Sequence, residues 1–364
     1  MVKKAFLPPF LPPKLEYNDV FKDIIKARDI VSRYDEAMKR LLNPEIIQRS
    51  FETKEAVLSS RIEGTQVTLD DVLMFDAQHL KTEENDKEKD YREISNYRFA
   101  IKWGKDLLGK KPLAENVIKE LHRILLNSVR GQNKAPGEFR KSQVFIGPYG
   151  ASTEQATFIP PEPQYISELF SDLEKFIYSK DTIDPLVQIA IAHYQFEAIH
   201  PFLDGNGRVG RLLIPLFLYE RKVTAQPNIY ISEYLEEHRD AYYDLLKKVS
   251  EKDDWIPWIK FFLDAVYEQT KITLDRVVKI EKLYKELKEI MPKINSIYAN
   301  SFLDAIFVKP TFTAKSIKEG SKIFNNQTLY TVIEKFLESK IIEEIGQKER
   351  NKIYTFSTLR KLIR

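Results

Sequence analysis

Apolar positions recur at helical spacing through most of the chain. Ile24, Ile25, Ala27, Ile30 and Val31 mark one stripe in a region that reads as helical from Tyr17 to about Leu80. A second helix is predicted from about Glu55 and should stop at Gly64. A third starts at Thr68, whose hydroxyl can cap a turn holding Asp70 and Asp71. The charge run from Lys81 to Arg92 reads as a solvated loop or helix end, and 93–130 as helix again. The texture changes at Pro136-Gly137. Gln143–Gly147 and Ala156–Ile159 are short β-prone runs around a polar turn, which predicts a hairpin closed by Pro160, Pro161 and Pro163. Helix resumes at 164–179. Asp184-Pro185 opens another, with Asp as N-cap and Pro in the first turn. That helix should end near His200, because Pro201 disfavours the α conformation before it. Helices fill most of 208–291.

The tail differs. Residues 296–364 hold twelve Lys and Arg against seven Asp and Glu, a local net +5. Helical pieces there precede two β-like runs, Ile341–Ile345 and Ile353–Phe356, joined by polar Gly346–Lys352. Helix, helix and a two-stranded wing suggest a winged helix-turn-helix. The N-terminal 17 residues are Pro-rich and extended.

Composition adds bounds. The 364 residues are 43% hydrophobic and 30% charged, enough for two or three domains with buried cores. A net charge of +3 singles out no partner. With no cysteine, disulfides, thiolate zinc sites and cysteine nucleophiles are excluded, and a reducing cytoplasm is expected. Pro8, Pro9, Pro12 and Pro13 interrupt the apolar run a signal peptide would need. No stretch approaches a membrane span, so no membrane is expected.

The chemistry concentrates in one loop, His200-Pro201-Phe202-Leu203-Asp204-Gly205-Asn206-Gly207-Arg208. Gly205 and Gly207 flank Asn206 where a helix is predicted to begin near Arg208. Glycines let successive N–H groups form an anion-binding nest, and the helix N-terminus adds positive charge. Arg208 and Arg211, three apart, share a helix face suited to phosphate oxygens. Asp204 precedes the nest, and Mg²⁺ commonly combines one carboxylate with phosphates and water. His200 stands at the mouth, placed to take a proton from a hydroxyl. The loop is not a P-loop, which needs Gly-Lys followed by Ser or Thr.

These residues meet every fixed position of His-Pro-Phe-x-Asp/Glu-Gly-Asn-Gly-Arg-x-x-Arg, and the chain thereby resembles the Fic family over about residues 17–270. The resemblance implies an auto-inhibited protein adenylyltransferase moving AMP from ATP to a Ser, Thr or Tyr hydroxyl of a protein, the chain itself included among the candidates. The implied fold is mainly α, a Fic-type helical bundle with a small β-hairpin flap and a C-terminal winged helix-turn-helix domain. By position His200 would be the general base and Asp204 the Mg²⁺ ligand. Gly205, Asn206 and Gly207 would hold the α- and β-phosphates, and Arg208 and Arg211 the β- and γ-phosphates. Phe202 and Leu203 join the nucleotide-binding set, Phe202 also anchoring the loop in the core.

Ser59-Ser60-Arg61-Ile62-Glu63-Gly64 matches the family's inhibitory motif, Ser/Thr-x-x-x-Glu-Gly/Asn. A carboxylate in the last turn of a helix opposes the macrodipole and gains from a cation. The resemblance names that partner as Arg211, so that Ser59 and Glu63 would brake the site. It makes Val144, Phe145, Ile146 and Gly147 a flap that docks the target by strand addition, and matches Tyr242 to the base or ribose. The implied domains are 1–92, an extended segment and helical region with the inhibitory helix; 93–270, the catalytic core; 271–295, a connecting helix; and 296–364, the winged module. That module, with Asn326, Gln327 and Thr328 on a recognition-like helix and Lys348, Arg350 and Lys352 on the wing, suits DNA contact or a homodimer. The competing readings are AMP removal, transfer of another phosphate-linked group, and a nucleotide-sensing DNA-binding regulator.

Overall fold

The computed structural model describes residues 4–41, 43–78, 86–129, 131–147, 155–179, 183–345 and 352–364. Its helices are α1 (Phe21–Arg40), α2 (Pro44–Ile62), α3 (Leu69–Gln78), α4 (Asp86–Leu108), α5 (Glu115–Leu125), α6 (Ile166–Tyr178), α7 (Pro185–Ile199), α8 (Asn206–Glu220), α9 (Ser232–Glu237), α10 (Arg239–Lys252) and α11 (Trp255–Ile290). Then follow α12 (Ala299–Val308), β1 (Thr311–Thr313), α13 (Ala314–Ser321), α14 (Asn326–Glu338), β2 (Glu343–Ile345), β3 (Ile353–Thr355) and α15 (Ser357–Ile363). The chain is mainly helical, as expected. None of the described helices is long and apolar enough to cross a membrane.

Two units divide these elements. The first comprises 1–35, 58–65 and 92–271. Its centre is α7, apolar on all sides and buried along almost its whole length, which requires neighbours all round. Asp184 caps it by accepting from Leu186 N at 2.8 Å. α6 is tied to it by Gln188, whose amide donates to Phe176 O at 2.7 Å. α11 is tied by Trp258 Nε1, which donates to Ala190 O at 2.9 Å. The N-terminal segment is anchored by Gln195 donating to Pro9 O at 2.9 Å and by Phe6 N donating to Ile159 O at 2.8 Å.

The second unit comprises 36–57, 66–91 and 272–364. β3 lies between β1 and β2, antiparallel to both, with Thr311 and Glu343 each opposite Thr355. α13 begins in a capping box between Thr313 and Ser316, and α14 is capped by Asn325 accepting from Thr328 N at 3.0 Å. Phe302 meets both Phe312 and Phe336 edge-on in the core. As the sequence predicts, the early face of α14 is polar and exposed at Asn326 and Gln327, while Leu329, Val332, Ile333 and Phe336 are buried.

Several boundaries differ from the sequence reading. α2 starts at Pro44, eleven residues earlier than Glu55, with Pro in its first turn. The region 93–130 is two helices, because Gly109 and Pro112 fall between α4 and α5. The charge run is no solvated loop from residue 86 on. It forms the start of α4, and Glu88 and Asp90 are buried. The hairpin is reduced to one bridge, Ile146 to Phe158, with 148–154 outside the described residues. α8 begins at Asn206 rather than near Arg208. The tail carries β1 and α15 besides the elements read from sequence, and Lys348 and Arg350 lie outside the described residues.

Candidate active site

The end of α7 and the start of α8 build the loop. Pro201 excludes a helical conformation at His200, which instead caps α7 in the left-handed region at φ 48° and ψ 61°. A non-glycine residue there carries strain, which tends to mark working sites. Gly205 takes φ 78°, at no such cost, and turns the chain into α8. Between them Phe202 is fully buried and stacks on His122 at 3.8 Å between ring centroids. Asn206 closes the loop on itself. Its Oδ1 accepts from Phe202 N and its Nδ2 donates to Phe202 O, both at 2.9 Å. The Asn206 side chain therefore shapes the turn from within.

His122 and Arg140 were missed by the sequence reading. Gly137 N donates to His122 Nδ1 at 2.8 Å, so the ring proton sits on Nε2 and is given to Asp204 O at 2.9 Å. Burial pushes this imidazole down to about 4, in keeping with a neutral ring. Arg140 is buried. Its Nε donates to His200 O at 2.8 Å, its Nη2 to Pro161 O at 2.5 Å, and its backbone N to Pro201 O at 2.9 Å. One guanidinium thus binds the His200 turn to Pro161, just past the second hairpin segment. Residue-level signals did not reveal either role, since their partners in the loop, His200 and Asp204, lie 60 and 82 positions away.

His200 keeps a buried Nδ1 with no hydrogen-bond partner among the described residues. Burial pushes its pKa down to about 4, against the opposing charge of Glu63, while Arg140 pushes the same way as burial. The ring is a free base at neutral pH. Asp204 is 40% exposed, with Oδ1 accepting from Gly205 N at 2.6 Å.

The expected brake residues meet Arg211. Its Nε donates to Ser59 Oγ at 2.9 Å, and its Nη2 donates both to Ser59 O at 2.9 Å and to Glu63 Oε1 at 2.6 Å. Ser59 lies in the last turn of α2 and Glu63 just past its end, four residues on, so one guanidinium meets both. Gly207 makes room for this contact, because a Cβ there would stand 2.2 Å from Glu63 Oε1. Burial works to raise the Glu63 carboxyl, but the charge and hydrogen bond of Arg211, with Arg208 and His200 behind, outweigh it and hold it below the usual range. Glu197, one turn before His200 on α7, is opposite in character. Burial lifts it to about 8, and Arg211 only partly offsets this.

Other expected positions lie as follows. Arg208 is an ion pair with Glu93 at 2.8 Å and does not share the partners of Arg211. Leu203 is half-buried in the loop. Tyr242 is fully buried, its hydroxyl 2.9 Å from His193 Nε2, and the adjacent Tyr243 is 41% exposed. In the flap, Ile146 directs its N–H and C=O at Phe158, so Phe145 and Gly147 direct theirs to the opposite edge. Phe145 and Gly147 are exposed, and Val144 and Ile146 half-buried.

Two family models match the chain. Residues 112–218 match the Fic/DOC family and residues 21–106 the Fic/DOC family N-terminal region, more than half the chain between them. The chain belongs to the Fic/DOC family. It is 36% identical over 160 residues to the protein adenylyltransferase Fic of Aedes aegypti, covering 43% of this chain and 28% of the relative. Against that of Drosophila melanogaster it is 33% identical over 189 residues, covering 51% and 34%. The chain thus spans about a third of the length of the curated relatives it matches. A Fic family protein from Desulfovibrio desulfuricans G20 shares the fold, with a TM-score of 0.62, 18% identity, and coverage of 95% of this chain and 98% of that one. Fic-1 from C. elegans does so with a TM-score of 0.54, 22% identity and 73% coverage of each.

Proposed function

We propose that this Fic chain transfers AMP from ATP to a Ser, Thr or Tyr hydroxyl of a protein, and that the end of α2 restrains it. The observation that carries the reading is the Fic loop, with a neutral His200 at its mouth and Arg211 already held by Ser59 and Glu63. The relatives named protein adenylyltransferase Fic support it over the stretch they share.

His200 would take the proton of the incoming hydroxyl as its oxygen bonds to the α-phosphorus. The bond from that phosphorus to the bridging oxygen breaks, and pyrophosphate leaves with the bond electrons. The N–H groups of Gly205, Asn206 and Gly207, at the N-terminus of α8, would hold the phosphates during the displacement. Among the described residues no three His, Asp or Glu gather as a metal cage. Asp204 beside the nest fits the other mode, one carboxylate with the remaining ligands from phosphate and water. A bound Mg²⁺ would there supply charge neutralisation for the phosphates. While Glu63 holds Arg211, the guanidinium that would meet the γ-phosphate is taken, and ATP sits in a pose unsuited to attack.

Incubation with ATP labelled on the α-phosphate tests the reaction class. Label should pass to protein from α-labelled ATP and not from γ-labelled ATP. Label passing only from the γ position would replace AMP transfer with phosphate transfer, and ATP bound without any covalent product would leave a sensor. DNA contact by α14 is a separate proposal, supported by its exposed Asn326 and Gln327. Affinity that falls steeply between low and moderate salt is its signature, and no binding at low salt removes it.

A further inference from the structure

Arg208 sits in the first turn of α8, where the helix macrodipole disfavours a cation. Helix stability therefore does not explain it. Its side chain is 5% exposed and so is that of its partner Glu93, on α4, with Nη1 2.8 Å from Glu93 Oε1. Nη2 is 3.4 Å from Asp204 Oδ1. Core stability explains the pair poorly as well. Taking two ions out of water offsets most of their attraction, so buried ion pairs contribute little net stability.

What such a pair does achieve is a fixed orientation for a planar guanidinium. Glu93 is itself fixed, accepting from Thr65 Oγ1 at 3.3 Å, and Thr65 is buried immediately after the Glu63-Gly64 end of the restraining segment. A further observation points to a ligand. Arg208 Nε is buried and has no hydrogen-bond acceptor among the described residues, while Nη1 faces the Glu93 carboxylate. Buried donors are rarely left so. Arg208 follows Gly205, Asn206 and Gly207 in the first turn of α8, and an oxyanion held at that helix N-terminus would give Nε its acceptor.

We infer that Glu93 is a positioning residue for nucleotide binding: it holds Arg208 through Nη1 in the orientation that offers the rest of its guanidinium, the unpaired Nε–H included, to the terminal phosphates of a nucleoside triphosphate. The inference rests on the AMP-transfer reading for the identity of the nucleotide alone. It also distinguishes the two arginines. Arg211 is held by the segment that must leave, Arg208 by a residue that stays.

The test is calorimetric binding of ATP and of AMP, each with Mg²⁺, to Glu63→Gly and to Glu63→Gly/Glu93→Gln. Gln keeps the size and removes the charge that orients Arg208. AMP lacks the phosphates Arg208 would hold. ATP should bind about tenfold more weakly to the double variant, the scale of one oriented charged contact, with AMP within about twofold of its parent. Unchanged ATP binding, or ATP and AMP weakened alike, would overturn the inference, the latter because a merely structural role moves both. Should Glu93→Gln not yield folded protein, Glu93→Asp decides on the same ratio, with a shift of about threefold or more in support and no shift against. Adding Glu93→Gln to Arg208→Ala should change nothing more. Because the readout is binding, a chain that transfers no AMP can still show the ratio, and one that transfers AMP can fail it.

Discussion

Replacing Glu63 by Gln keeps the shape of the side chain and removes the charge that meets Arg211. In the parent chain the two are joined by a charge-assisted hydrogen bond of 2.6 Å from Nη2. Such bonds contribute about 1.5–3 kcal/mol. The Glu63 side chain is 35% exposed, so solvent screens it and the lower figure applies, about 1.5 kcal/mol. In a two-state restraint that shifts the free form about tenfold. The two bonds to Ser59 survive, so Glu63→Gln should release less than Glu63→Gly, which removes the side chain entirely. The assay is the initial rate of AMP incorporation from labelled ATP, with His200→Ala as the blank and a thermal melt to establish folding. Rates of Gln and Gly variants equal to the parent, with melts unchanged, would refute a restraint acting through this pair. The pH dependence has a definite sign. The Glu63 carboxyl is depressed in the folded chain by Arg211, against the effect of burial, so its pairing persists above the ordinary carboxylate range and is lost only as pH falls through the depressed value. No relief of the restraint is expected between about pH 6 and 8.

Two further outcomes follow from single contacts. Asp184→Ala removes the cap of α7 and a partly exposed pair with Arg28, and should cost about 1–2 kcal/mol, read as a melting temperature lower by about 2–4 °C. An unchanged melt would mean the cap is replaced by solvent. His200, whose pKa burial has pushed down to about 4, should leave the rate of Glu63→Gly flat from about pH 6 to 8 and reduce it only in acid. A rate falling by half near pH 6.5 would show an ordinary, exposed imidazole instead.

The parts of this fold legible in the sequence are those set by local chemistry. Asp184-Pro185 marks the start of α7 because capping needs only three consecutive residues. Pro201 places His200 at its end for the same kind of reason, and Gly205 opens α8. The start of α2 is equally local, since Asn43-Pro44-Glu45 is a helix-opening sequence, although the expected boundary stands at Glu55. The opening of α4 escapes a sequence reading for a physical reason. Charged residues at 86–92 read as solvated, whereas Glu88 and Asp90 are buried by tertiary packing that no periodicity encodes. Within the site, the loop residues can be found from their spacing. The residues that hold them, His122, Arg140 and Glu93, are single ordinary positions on distant elements, and only the folded chain brings them to Asp204, His200 and Arg208.

The central claim is that a neutral His200 takes the proton of a protein hydroxyl as AMP passes to it from ATP, once Glu63 no longer holds Arg211. It is tested most directly by intact mass of Glu63→Gly after incubation with ATP and Mg²⁺, alone and with a cell extract, beside Glu63→Gly/His200→Ala. A gain of one AMP on the chain or on a protein of the extract, absent from the double variant, is the predicted result. Folded Glu63→Gly that binds ATP and leaves no AMP on itself or on any extract protein would contradict it.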